Sequence, residues 1–271
     1  MHFSVLMSIY HKEKPSNFDR AMLSIWDEQS VKPSEIILVE DGVLPLKLNT
    51  VILFWIKKLD GKLKIIKLEE NVGLGRALNI GLSHCSYELV ARMDTDDISA
   101  KDRFKKQLAV FESKDVDICS AWVSEFDTDE NKLTFSRKVP QEHEDIVTFS
   151  KKRCPVNHPV VMYKKSMVQK AANYKHMLWF EDYYLWARMI QEGAVFYNIQ
   201  EPLLSMRAGE GQMKRRQGVA YGIAEYRLMH ALWDMGFLNR YEFIRNIIMR
   251  FTARLLPKNF LKRVYIIFLR S

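Results

Sequence analysis

Three carboxylates stand within four positions, Asp94, Asp96 and Asp97 in the stretch ELVARMDTDDIS, directly after the apolar run Leu89-Val90-Ala91. Like charges this close cost free energy unless a cation, hydrogen-bond donors or water compensates. A pair at i and i+2 on a loop after a strand suits a hard divalent cation. Mg²⁺ or Mn²⁺ is commonly held by only one or two protein carboxylates, with water and phosphate oxygens completing the shell. Such an ion would neutralise charge developing on a diphosphate leaving group. Two further acidic pairs fall at element ends: Glu40-Asp41 closes EIILVED, and Glu181-Asp182 opens the helical stretch WFEDYYLWARMIQEG. A carboxylate there could take a proton from an attacking hydroxyl. Each motif also has a bland reading, a solvated turn for the first and complementation of a helix N-terminus for the last. The surrounding elements separate these readings.

The first 125 residues alternate between apolar β-rich runs and helical patterns. FSVLMSIY, EIILVED, LKIIKL, ELVARM and VDICSAWV read as buried strands. Helices are expected over PSNFDRAMLSIWDEQS, with Pro15 at its start, from about Gly73 to His84, and over RFKKQLAVFES. This order predicts an α/β fold with an open, mostly parallel sheet and helices on both faces. Ligands of such sheets bind beyond the carboxyl ends of the strands, where Glu40-Asp41 and Asp94–Asp97 fall. Further on, SEFDTDENKLTFSRKV suggests a hairpin turning at 127–131, and CPVNHPVVMYKKS a Pro-bracketed loop entering a strand. The FED helix stops near Gly193. Two strands, AVFYNI and PLLSMR, a basic loop AGEGQMKRRQG and a helix over about 219–235 follow.

The hydrophobic content of 48% and charged content of 27% belong to a globular chain, which excludes a disordered one. Met1 leads straight into a strand-like run too short for a signal sequence, and no 18 uninterrupted apolar residues occur, so neither a leader nor a spanning helix is expected. Cys85, Cys119 and Cys154 are odd in number and widely spaced, which suits free thiols in a reducing compartment. The net charge of +8 is concentrated: residues 240–271 hold eight Lys and Arg against Glu242, so the body is nearly neutral. The charge therefore marks a partner for the tail alone, and nucleic-acid binding by the body is not expected. Ile247, Ile248, Phe251 and Leu255 share one helical face with Arg250, Arg254 and Lys258 beside it, and Pro257 precedes a second apolar-basic segment, NFLKRVYIIFLR. Such interleaving predicts a segment lying on an anionic membrane surface. A helix packed on the body is the competing expectation.

In order, SVLMSIYHKE, SEIILVEDG, NVGLGRALNIGL, ARMDTDDIS and FEDYYLWARM resemble the family 2 glycosyltransferases, which have the type A nucleotide-sugar-binding fold. The resemblance spans roughly 3–207 and is greatest to bacterial enzymes that build O-antigen and exopolysaccharide repeat units on a lipid carrier. It implies a nucleotide pocket lined by Ser8, Tyr10, Glu40 and Asp41, with Asp41 favoured over Glu40 for the uracil or ribose. It further implies Arg76 at the nucleotide or its diphosphate, and Asp97 beside the nucleotide sugar. Asp96 would be the direct metal ligand, with Asp94 a second ligand nearer the ribose. Asp182, or less favourably Glu181, matches the general base. An acceptor-side His158 follows from the same resemblance, while the basic loop could close over the diphosphate through Arg207, Lys214, Arg215 or Arg216, since Arg matches phosphate bidentately, or be an ordinary solvated loop. Trp122, Trp179 and Trp186 could stack on sugars, with core packing the first reading for each.

Taken together these imply an inverting, Mn²⁺- or Mg²⁺-dependent transfer of galactose or glucose from a UDP-sugar to an N-acetylhexosamine on undecaprenyl diphosphate. The place expected for it is the cytoplasmic face of a bacterial membrane. Residues 1–210 would form the catalytic domain, with a nucleotide half over about 1–125 and an acceptor half over about 126–210. Residues 211–271 would form the basic loop and amphipathic C-terminal helices. An aspartate-nucleophile phosphatase would need its Asp-x-Asp after the first strand and Thr or Val where Ile98 stands. A processive synthase would need spanning helices, and a sugar nucleotidyltransferase an N-terminal Gly-rich loop. An inactive transferase-like scaffold and a tail that binds nucleic acid are the remaining alternatives.

Overall fold

The computed structural model describes residues 1–208 and 218–255, with side chains described as far as Arg250. Strand β1 (Phe3–Ile9) buries nearly every residue and pairs in parallel with β2 (Glu35–Glu40), which pairs in parallel with β3 (Leu63–Lys67). After β3 the chain crosses to the other side of β1 and lays down β4 (Leu89–Arg92), again parallel. The order β3-β2-β1-β4 therefore reverses direction at β1 and opens a crevice beyond the ends of β1 and β4.

Both faces of this half are covered, so side chains of alternating direction feed two separate cores. Phe3, Val5, Met7, Ile36 and Leu38 pack against α1 (Pro15–Ile25) and α2 (Leu46–Leu59). Leu6, Ile37 and Val39 pack against α3 (Leu74–His84). Gly81 permits that approach, because a Cβ there would lie 2.5 Å from Leu6 Cδ1 and 2.6 Å from Val39 Cγ2. Residues 46–59 carry no motif, yet Leu48, Ile52, Trp55 and Leu59 form the buried stripe of α2.

The other half of the sheet is mixed. Beyond the two-residue β5 (Ile98–Ser99) and α4 (Arg103–Ser113) comes β6 (Ile118–Phe126), which forms the expected hairpin with β7 (Leu133–Arg137). After α5 (His143–Ser150) and a 3-10 turn at His158–Val160, β8 (Met162–Lys164) enters antiparallel to both β4 and β6 and joins the two halves. Short α6 (Lys165–Lys170) and then α7 (Glu181–Gln191) follow, α7 ending before Gly193 at φ +84°. The two strands expected over 194–207 are one, β9 (Phe196–Arg207), parallel to β6. Its register slips between Ile199 and Leu204, where Pro202 cannot donate to a ladder, and the strand continues through the irregularity. Beyond the slip β9 pairs with β5, Ser205 opposite Ile98, which ties its end to the acidic turn.

Helices α8 (Val219–Asp234) and α9 (Arg240–Leu255) close the described chain. Leu228, Met229, Leu232, Phe237 and Leu238 share a core with Phe180, Tyr183 and Ala187 of the α7 region. Helix α9 rests on that core through Phe243 and Ile247, and Asn246 Nδ2 donates to the Lys151 carbonyl at 2.7 Å. The single apolar face expected for this helix is thus divided, with Ile247 packed inward and Ile248 59% exposed. Arg250 pairs with Glu225 and donates to the Lys152 carbonyl instead of standing in solvent. Lys214, Arg215, Arg216 and the tail after residue 255 lie outside the described residues. No helix among the described residues is long and apolar enough to cross a membrane.

Candidate active site

Four strand ends converge on a cavity of about 700 Å³. Ser8 and Tyr10 reach it from β1, Asp41 from β2, the acidic turn from β4, and Met206 and Arg207 from β9. Asp41 also organises the facing loop. Its Oδ1 accepts the Val72 N–H at 2.7 Å, and its Oδ2 accepts the Asn71 side-chain amide at 3.0 Å and the Gly73 N–H at 3.2 Å. Gly73, at φ +84°, then caps α3. Of the Glu40-Asp41 pair only Asp41 lines the cavity. Glu40 is buried on β2 and faces Lys67 Nζ at 3.6 Å, so its expected place in the nucleotide pocket is corrected.

The acidic turn gathers as a ligand set. One carboxylate oxygen each from Asp94, Asp96 and Asp97 lies within 4.8 Å of the others, the one such group among the described residues. Asp97 Oδ1 accepts the Arg207 N–H at 2.9 Å, while its buried Oδ2 has no partner. Burial, then the Asp94 and Glu13 charges, push the Asp96 carboxyl up to about 7. Asp97 is raised well above the carboxylate range by burial and by Asp94 and Asp96. A buried orphan oxygen among hard donors that repel one another is what a divalent cation would relieve, so the residues fit Mn²⁺ or Mg²⁺.

Several contributors to the site stand outside the recognised motifs. Thr95 Oγ1 donates to Glu13 Oε2 at 2.8 Å, fixing the turn against the loop after β1, whose Lys12, Glu13 and Lys14 also line the cavity. Arg92 is fully buried behind the turn and ion-paired with Asp94, and its Nε and Nη1 have no partner. A cation two residues before Asp94 was the available signal. Arg207, expected at the diphosphate, sits beside the turn, its Nε donating to the Asp96 carbonyl at 3.3 Å and its guanidinium 4.6 Å from the Phe126 ring centre.

A smaller cavity of about 190 Å³ shares Gly73 and Leu74 with the first, and neither Asp182 nor His158 lines either one. Glu181 and Arg76 line the smaller one, so Arg76 stands outside the nucleotide cavity where the resemblance had put it. Burial and then the Asp182 charge push the Glu181 carboxyl up to about 7. Asp182 is partly buried, its Oδ1 accepting the Tyr183 N–H at 2.7 Å and its Oδ2 facing Cys154 Sγ at 3.7 Å. Burial raises it also. His158 is not at an acceptor surface. It is buried against Trp186, its Nε2 is 3.0 Å from Tyr174 Oη, and burial and then Arg92 push its pKa well below the ordinary value, so it is a neutral internal group.

This arrangement coincides with what sequence and fold comparison find. The family model described as "Glycosyl transferase family 2" matches residues 4–175, more than half of the chain. The chain belongs to family 2 of the glycosyltransferases. It is 41% identical to a glycosyltransferase of Haemophilus influenzae over the full length of both chains. It is 38% identical to the UDP-Gal:alpha-D-GlcNAc-diphosphoundecaprenol beta-1,3-galactosyltransferase of Escherichia coli, over 97% of this chain and 94% of that one. Among solved structures, S. aureus TarS 1-349 in complex with UDP-GlcNAc superposes with a TM-score of 0.65 at 17% identity, over 98% of this chain and 73% of that one. In another structure of S. aureus TarS, 46% of that chain is covered. At that identity the likeness concerns the fold, the type A glycosyltransferase architecture. As in that family, the reaction is a glycosyl transfer.

Proposed function

We propose that the chain transfers galactose or glucose from its UDP-sugar, with inversion, to an N-acetylhexosamine carried on undecaprenyl diphosphate, in the assembly of an O-antigen or exopolysaccharide repeat unit. The observation that carries this reading is the pair of adjoining cavities, one walled by Asp41 and the acidic turn and the other by Glu181. The Escherichia coli relative named above supplies the donor and acceptor classes.

In the step proposed, the acceptor oxygen forms its bond to the anomeric carbon as the bond to the UDP phosphate oxygen breaks and UDP leaves with the electron pair. A cation held by Asp96 and Asp94 would neutralise the charge gathering on the diphosphate. Asp182 receives the acceptor proton. Both carboxyls of its pair are raised by burial, and the Asp182 charge in turn raises Glu181. Glu181, near 7, can share a hydrogen bond with the acceptor hydroxyl beside it. Ser8, Tyr10 and Asp41 hold the nucleoside, and Arg207 buttresses the acidic turn.

Membrane attachment belongs to the same reading. Tyr241, Ile244, Ile248 and Met249 of α9 are 45–73% exposed and lead into the basic tail. An interfacial segment would confine the enzyme to the inner surface that carries its acceptor.

Purified full chain is to be offered each UDP-hexose with an N-acetylglucosaminyl diphosphate lipid, and UDP release followed with and without EDTA. Release that needs both acceptor and metal is expected. UDP release in excess EDTA, or none with any donor, would overturn the assignment. An inactive scaffold would still show a thermal shift with UDP and Mn²⁺. Sedimentation with anionic liposomes, full chain against one ending near Gly236, tests the tail, and equal sedimentation removes its membrane role.

A further inference from the structure

The smaller cavity holds an aromatic side chain, Trp179, that does not pack into the core. Trp179 is 40% exposed at the cavity wall beside Leu178, at 50%, although both are large and apolar. Its backbone lies at φ +65°, in the left-handed region that a bulky residue rarely adopts. Ala172 and Asn173, in the same connection between α6 and α7, are left-handed as well. Strain of this kind persists where the surrounding fold enforces it, and it concentrates at ligand clamps. The Tyr221 ring of α8 backs the indole, 5.4 Å from the Trp179 ring and inclined by 30°.

Ionisable side chains share the cavity wall with Trp179. Glu181 lines the cavity, its stem so close to α3 that a Cβ on Gly75 would lie 3.2 Å from Glu181 Cβ. Arg76, one residue further along α3, is exposed at the wall and makes no ion pair among the described residues. At about 190 Å³ the space is below the range of sites for drug-sized ligands and suits a single sugar ring with its first substituent.

We propose that this cavity is the acceptor subsite, in which the Trp179 ring stacks on the apolar face of the acceptor pyranose beside Glu181 and Arg76 binds the acceptor's diphosphate. The inference rests on the glycosyl-transfer reading above and deepens it. An indole backed by a second ring gives a C–H-rich sugar face a flat, preorganised surface. The guanidinium offers paired donors to phosphate oxygens, a geometry that Lys does not reproduce. Arg76 is thereby assigned to the acceptor's diphosphate and not to the donor's.

The test uses the full chain and the variants Trp179→Ala, Trp179→Phe, Arg76→Ala and Arg76→Lys. The probes are N-acetylglucosamine α-diphosphate with a short alkyl chain, and the alkyl glycoside without diphosphate. Trp179→Ala is expected to raise the acceptor KM by about tenfold or more, the loss of roughly one good contact. UDP affinity by calorimetry should stay within about twofold, and Trp179→Phe should recover most of the effect. Arg76→Ala should weaken the diphosphate acceptor and leave the plain glycoside unchanged, with Arg76→Lys between. An unchanged acceptor KM in Trp179→Ala, or a loss of UDP affinity in Arg76→Ala, overturns the assignment. Saturation-transfer NMR of the diphosphate probe gives a readout independent of turnover. Sugar-ring saturation seen in the wild type and lost in Trp179→Ala supports the subsite even if no donor is turned over. Equal saturation in both, or none in the wild type, overturns it.

Discussion

Asp96→Asn should make the fold more stable while abolishing the cation site, because the acidic turn pays for its function in repulsion. In the unfolded chain the carboxyl ionises near its ordinary value of 3.8, whereas in the fold burial and then Asp94 and Glu13 push it up to about 7. Between those values the folded state keeps a proton that the unfolded chain has released. The contribution of Asp96 to stability therefore falls as pH rises across that window, and the full cost is present above about pH 7. At about 1.4 kcal/mol per pH unit the gap amounts to at most about 4 kcal/mol. Asp94 and Asp97 share the repulsion, and Asp96 keeps some contact with solvent. A gain of about 1–3 kcal/mol at pH 8 is expected, which is several degrees in Tm. Thermal unfolding in EDTA at pH 5.5 and pH 8 measures it, with a second pair of scans in Mn²⁺ and UDP. The variant should exceed the wild type at pH 8, approach it at pH 5.5, and gain little from Mn²⁺ and UDP. A variant less stable than the wild type at pH 8, or one that metal and nucleotide stabilise equally, would refute the reasoning.

Asp182→Asn should lower kcat by about 10²–10⁴ with UDP affinity nearly intact, and Glu181→Gln by about tenfold. A larger loss from Glu181→Gln, measured in the same UDP-release assay, would exchange their roles. Because Asp96 must lose its proton to ligate, Mn²⁺ binding should weaken on going from pH 8 to pH 6 with release of protons, which calorimetry in buffers of different ionisation heat would detect. Gly81→Ala should destabilise by about 1–3 kcal/mol through its collision with Leu6 and Val39, with UDP affinity preserved. Denaturant unfolding and a UDP titration check the two halves of that statement.

The sequence by itself determined the parallel half of the sheet, its helices and the order of the acidic motifs. There the code is local: apolar runs of strand length, helical stripes and a Pro or Gly at the right end specify each element without reference to distant residues. It also determined that Asp41 and Asp94–Asp97 stand together, since a reversal of strand order brings strand ends to one crevice. It left β9 divided in two, because Pro202 reads locally as a break while the pairing with β6 that carries the strand through is long-range. Which charged residues face which cavity was decided by the tertiary structure alone. Arg76 stands at the smaller cavity because α3 turns its first residues past the Asp41-bound loop. His158 is internal because Tyr174 and Trp186 close over it. Trp179, which composition would send to the core, is held at the surface by a left-handed backbone and a ring from α8. Burial and charge proximity, which set the carboxyl groups near neutrality, are sums over residues far apart in the chain, and no local pattern in the sequence encodes them.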